Sequence, residues 1–197
     1  MLRLLRKIFL IIALGIFVQC TEVAVPKPRG YFRITLPEHQ YVEYDTDTMP
    51  YSFSHSALSR IVRDNTRGAQ KYWVNIEYPT LRCKIHVTYL SLPDGMDEKA
   101  FEDSHRLAYK HTIMADAIGE TYYDDTLNLV YATKYDIKGN AATPLQIALT
   151  DSLGHFFRGS LYFNSRPNKD SLAPVVAYIN EDVVHLIETF RWKKVKK

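Results

Sequence analysis

The chain of 197 residues has only two cysteines, Cys20 and Cys83. If Cys20 is used as a lipid attachment site, as argued below, Cys83 is alone and no internal disulfide can form. Stability must then come from a buried core. Long apolar runs are equally scarce: after Ile8 to Val18, no stretch approaches the ~20 residues that a membrane-spanning helix needs. The familiar catalytic signatures are missing as well. There is no G-x-S-x-G elbow, Walker loop, dinucleotide glycine pattern, H-E-x-x-H or paired C-x-x-C, so nothing opens an enzyme argument and no cofactor is expected. Net charge is the last absence. Arg3, Arg6 and Lys7 account for the formal +3, and the remainder holds 22 basic and 22 acidic residues. A neutral chain does not supply the concentrated positive face that phosphate neutralisation needs, which excludes nucleic acid as the expected partner.

What is present begins with the N-terminus. The three basic residues precede the apolar run, which reaches Cys20 after Gln19. This is the layout of a secretory signal, and the cysteine at its end makes it a lipoprotein signal: residues 1–19 are removed and Cys20 becomes the lipidated first residue. The alternative is an uncleaved anchor, for which the apolar run is short. Gln19 stands where the lipoprotein box prefers a small residue, so cleavage requires the loosened boxes of some bacterial phyla. From Thr21 to Gly30 the sequence TEVAVPKPRG favours polyproline II, a stiff spacer of roughly 3 Å per residue between lipid and domain. Thr21 and Glu22 form no acidic surface-export run, which points to the periplasmic face of the outer membrane.

Residues 31–192 read as a single α+β domain, followed by a basic tail at 193–197. Strands are predicted at Tyr31 to Leu36, at Tyr51 to Ser54, and as a hairpin of Tyr72 to Tyr78 with Leu81 to Tyr89, where apolar and polar residues alternate. Residues 55–71 read as irregular. Cys83 falls on the apolar face of its strand and is expected to be an inert core residue. From Asp97 to about Ala117 the period changes to that of an amphipathic helix. Three strands at Leu127 to Ile137, Leu145 to Thr150 and His155 to Phe163 follow, separated by Lys138-Gly139-Asn140 and Asp151-Ser152, and should pair as an antiparallel meander. Ser171 is the expected cap of a final helix with Pro174 in its first turn and an apolar face running from Leu172 to Phe190. This order indicates a largely antiparallel sheet covered by helices. By fold-level analogy, a three-layer sandwich of the Mog1/PsbP type fits it.

Candidate chemistry is sparse. Glu181, His185 and Glu188, at i, i+4 and i+7, share one helix face in a way a metal accepts, but a solvated polar face accounts for them and no metal is expected. Ser160 lies inside a predicted strand, not at a nucleophile turn, and His111 lies on an apolar stripe, where a core histidine is expected. Two clusters of polar residues form the candidate partner-binding surface: Arg106, Tyr109, Lys110 and His111 on the central helix, and Asp136, Lys138 and Asn140 at a strand end. The basic tail with Trp192 either touches anionic headgroups or is a frayed helix end that complements the macrodipole; the second is preferred.

The stretches PKPRGYFRITLPEHQY, WVNIEYP, DSHRLAYKHTIMADAI, YDIKGNAATPLQ, RGSLYFN, NKDSLAPV and HLIETFRW, running from Pro26 to Trp192, resemble the gliding motility lipoprotein GldD family of Bacteroidota-type bacteria. The resemblance implies a lipid-anchored cell-envelope protein needed for gliding motility, a process tied to type IX secretion, with other envelope proteins as partners. It implies no catalytic residues.

Overall fold

The computed structural model describes residues 34–92, 102, 106, 109, 115–165 and 168–194. Arg33–Lys197 forms one compact unit. Its elements are β1 (Tyr41–Tyr44), β2 (Tyr51–Ser56), β3 (Arg60–Arg63), β4 (Val74–Tyr78), β5 (Cys83–Ser91), β6 (Ala115–Asp125), β7 (Val130–Gly139), β8 (Leu145–Thr150), β9 (His155–Phe163), a 21-residue helix α1 (Lys169–Thr189) and β10 (Arg191–Trp192). Among the described residues, seven strands form one antiparallel sheet in the order β3-β4-β5-β9-β8-β7-β6, and β1-β2-β10 form a small second sheet. The class is α+β, as the order of elements indicated.

The hairpin is β4–β5, with Ile76 opposite Ile85, and its turn holds Arg82 at φ 53°. Along β5, Cys83, Ile85, Val87 and Tyr89 are buried and alternate with half-exposed Lys84, His86 and Thr88. That face meets the apolar stripe of α1, where Val175, Ile179, Val183 and Leu186 pack with Ile76, Ile147, Leu149 and Leu161 in the main core. Cys83 is buried, which pushes its thiol up to about 12 and keeps it protonated and unreactive. Where β9 crosses this core, Gly159 is required by space: a Cβ there would sit 2.9 Å from Ile147 Cγ1.

The meander is present and is one strand longer than expected: β6, β7, β8 and β9 pair in sequence, and β9 then pairs with β5. The Asp151-Ser152 turn is held by the Asp151 carboxylate, which accepts from the backbone N–H of Leu153, Gly154 and His155.

Several expectations need correction. Residues 34–36 are irregular, residues 31–33 of the expected strand lie outside the described residues, and the first strand among the described residues is Tyr41–Tyr44, paired antiparallel with β2. The stretch read as irregular between residues 55 and 71 contains β3, which has only four residues to show. Glu102, Arg106 and Tyr109 are helical, but Ala115 to Ala117 already belong to β6. The cap of α1 is Asn168, whose side chain accepts from Ser171 N, because the chain turns three residues earlier than Ser171; this puts Pro174 in the second turn. Arg191 and Trp192 are not a frayed helix end, and residues 195–197 of the basic tail lie outside the described residues. Phe190 is extended, and Arg191–Trp192 pair with Ser52 and Tyr51 as β10. Trp192 stacks on His155, and its indole N–H donates to Leu129 O at 2.9 Å. Lys193 N donates to Pro50 O, and its ammonium pairs with Asp45.

Candidate functional site

An open groove of about 650 Å³ lies between the first three turns of α1 and the end of β7. Among the described residues, α1 covers the centre of the sheet and leaves the β7–β6 flank on its side uncovered. Ile137, Ala141, Pro144, Leu172, Ala173, Val176 and Ala177 form its apolar walls, and Asp116, Asp136, Lys138, Lys169 and Asn180 supply polar groups.

One polar group is set deep. Lys134 is 5% exposed, and its ammonium donates to Asp136 at 2.8 Å and to the Asn180 side-chain carbonyl at 2.7 Å. A buried ammonium is retained because it is paired and hydrogen-bonded on more than one side. The pairing ties β7 to α1 and holds Asp136, which lines the groove, in place. At the rim, Lys169 donates to Asp116 at 2.6 Å between two exposed side chains. That exposed contact raises the Lys169 ammonium, through the Asp116 hydrogen bond first and its charge second.

The residues expected to meet a partner divide between the two faces of the sheet. Asp136 and Lys138 line the groove. Asn140 stands beside it, and its side chain accepts from Lys169 N at 3.0 Å, a second cap for α1. Arg106 and Tyr109 are exposed and helical. The Tyr109 hydroxyl donates to Glu120 at 2.7 Å, and because Gly119 is the residue opposite Asp136, Glu120 stands on the other face. Lys110 and His111 lie outside the described residues, as does Cys20.

A second polar cluster was not anticipated. Asp182 is 2% exposed on the inward side of α1 and accepts from the Tyr78 hydroxyl at 3.0 Å. His39 meets Asp182 at 2.7 Å through Nδ1 and Glu181 at 3.0 Å through Nε2, with its ring stacked on Tyr178. Burial and the Asp182 charge push the Tyr78 hydroxyl far up, so it stays protonated as the donor. Of the three helix residues considered for a metal, Glu181 is engaged by His39 and His185 is stacked against Tyr41 at 3.6 Å. Among the described residues no three His, Cys, Asp or Glu side chains converge as metal ligands. The sequence signal for Asp182 is a carboxylate interrupting the apolar stripe between Ile179 and Val183. Nothing local pointed to His39, 143 positions away.

Fold and groove together define an α+β domain in which α1 lies across an antiparallel sheet, with an open, apolar-walled groove on one flank. The chain belongs to a known family: the model of the gliding motility lipoprotein GldD family matches residues 21–192. Among curated proteins, none matches. Of solved structures, the solution structure of cyanobacterial PsbP (CyanoP) from Synechocystis sp. PCC 6803 is similar at 11% identity and a TM-score of 0.47, over 82% of this chain and 97% of that one.

Proposed function

We propose that this gliding motility lipoprotein is a non-catalytic interaction component of the cell envelope, associated with the gliding and type IX secretion machinery. The reading rests on the family match across residues 21–192. Acylated Cys20 holds the domain on its proline-containing spacer at the outer membrane, facing the periplasm. Partner contact is made through the groove flank at Asp136 and Lys138 and through the helical Arg106 and Tyr109. Several acyl chains on one cysteine anchor stably where a single chain does not.

Ala177 is exposed on the groove wall, so Ala177→Trp fills the groove without disturbing the core. With Lys138→Glu it should abolish spreading and adhesin export while leaving the protein abundant. Normal spreading and export in that double variant would remove the groove from the reading, and normal behaviour of a clean deletion would remove the reading itself. Cys20→Ser should release the protein from membranes. A second reading, a small-ligand binder, is favoured by the groove alone, since about 650 Å³ with apolar walls and a few polar groups suits a ligand of drug-like size. Mass spectrometry of protein purified under native conditions separates the two: a stoichiometric small molecule that is lost in Ala177→Trp supports the binder.

A further inference from the structure

Turns are built from residues that bend or solvate the backbone, chiefly glycine, asparagine, aspartate, serine and proline. Two turns at one end of the large sheet carry leucine as well. The β6–β7 turn reads Thr126-Leu127-Asn128-Leu129, and the β8–β9 turn reads Asp151-Ser152-Leu153-Gly154. Leu127 is 94% exposed, Leu153 65% and Leu129 43%, and among the described residues every exposed leucine lies on one of these two turns. Apolar residues exposed singly are ordinary on a protein surface. Three gathered at one end of a sheet are not, and burial in the core does not account for them. Leu129 stands at φ 52°, a left-handed conformation that asparagine or glycine adopts more readily.

The two turns are close together and firmly held. Tyr131 pairs with Thr150, so β7 and β8 bring both turns to the same end, their centres two strand spacings, or about 10 Å, apart. Asp125 accepts from the backbone and side-chain amides of Asn128 at 3.1 and 2.7 Å. Asp151 accepts from three backbone N–H groups in the other turn. Each turn is thus braced by its own aspartate. Trp192 bridges them: its indole N–H donates to Leu129 O at 2.9 Å, and its ring stacks on His155, which follows the Leu153 turn.

Charge does not select what meets this end. Arg191 lies 3.6 Å from Asp125, and the Lys193 ammonium pairs with Asp45. Shape selects it. Two narrow turns present points rather than a face, whereas a stable protein interface needs about 800 Å² on each partner. A bilayer needs no matching face, because lipid closes around an inserted side chain, and tryptophan favours the membrane interface. The family is one of lipoproteins, so a bilayer is the surface at hand.

We propose that Leu127, Leu129, Leu153 and Trp192 form a tip that inserts into the interface of a lipid bilayer, in addition to the lipid proposed at Cys20. Insertion reaches the ~5–10 Å of the headgroup and acyl boundary that interfacial segments occupy. The contact also orients the domain. The groove borders the other end of β7, a strand of 10 residues, and is therefore held up to roughly 30 Å from the lipid, where a soluble partner can reach it.

The test uses the full chain, purified from cell membranes and reconstituted in phosphatidylcholine vesicles, in a Trp73→Phe background that leaves Trp192 as the one tryptophan. Lipid brominated near the glycerol end of its chains should quench Trp192 emission at least twofold, lipid brominated near the chain ends should quench it less, and high salt should change neither. Leu127→Glu with Leu153→Glu, two exposed changes, should abolish the quenching with an unchanged circular dichroism spectrum. If that pair alters the spectrum, Leu127→Ser with Leu153→Ser decides by the same readings. No quenching in the parent overturns the proposal and leaves the tip to a protein partner. Quenching that survives the substitutions reports only nearness imposed by the anchor and overturns it. Quenching abolished by salt is headgroup attraction alone, and overturns it too.

Discussion

Replacing Asp182 with alanine should be among the most damaging single changes on α1. Its side chain is 1% exposed and serves two partners, the Tyr78 hydroxyl at 3.0 Å and His39 at 2.7 Å. Removing the carboxylate strands the Tyr78 hydroxyl in a residue only 1% exposed, at about 1–3 kcal/mol for a buried donor left unpaired. It also removes a hydrogen bond between His39 and a charged group, at about 1.5–3 kcal/mol. The sum is about 2.5–6 kcal/mol, which brackets the ~3–5 kcal/mol typical of removing one member of a buried pair. Glu181→Ala, at the 68% exposed end of the same histidine, should cost under about 1 kcal/mol. The decisive arm is the double variant. Tyr78→Phe should destabilise the parent protein, yet in the Asp182→Ala background it removes the stranded hydroxyl and should be neutral or restoring. Urea unfolding of the mature protein, followed through Trp73 and Trp192, measures all four. An Asp182→Ala cost below about 1 kcal/mol, or an equal Tyr78→Phe cost in both backgrounds, would refute the reasoning.

Burial lowers the pKa of His55 and of His86, so both are held neutral in the folded protein. The unfolded chain takes up the protons first as pH falls, so this contribution is present above about pH 6.5 and is lost below it. The thermal midpoint should therefore drop between pH 7.5 and 5.5, and His86→Asn should shrink the drop. Gly159→Ala should cost about 1–3 kcal/mol by overpacking, since the new Cβ meets Ile147 and Ile85; chemical denaturation reads it, and a neutral result would mean that those side chains can move aside. Trp192→Ala loses the bond to Leu129 O, the stacking on His155 and the edge-on contact with Phe190, and should cost roughly 2 kcal/mol. A stability unchanged by Trp192→Ala would show that β10 does not anchor the chain end.

The elements legible in the sequence are those that bury a face. β8 and β9 lie where apolar runs end at turn residues, and β5 shows its alternation because one side enters the core and the other does not. β6 escaped notice for the complementary reason. It is an edge strand with most residues exposed or half-exposed, so it carries no apolar period, and periodicity reports burial rather than hydrogen bonding. β1 and β3, at four residues each, are too short to display a period. Of the candidate surface, Asp136 and Lys138 lie near the end of β7, where they border the groove. The groove itself was not legible, since it exists only where α1 is narrower than the sheet beneath it.

By itself the sequence determined the α+β class, the buried hairpin, the order of the meander, the apolar stripe of the last helix and the family to which the chain belongs. These follow from local periodicity and from segments long enough to be distinctive. Only the tertiary structure decided that Asn168 and Asn140 cap that helix, that the chain end becomes a strand, and that His39 reaches Asp182 across 143 positions. It also decided that Glu120 and Asp136 look out from opposite faces of one sheet. Each of these depends on which distant backbone lies alongside, and strand register sets that through contacts far apart in the chain, which a local pattern cannot encode.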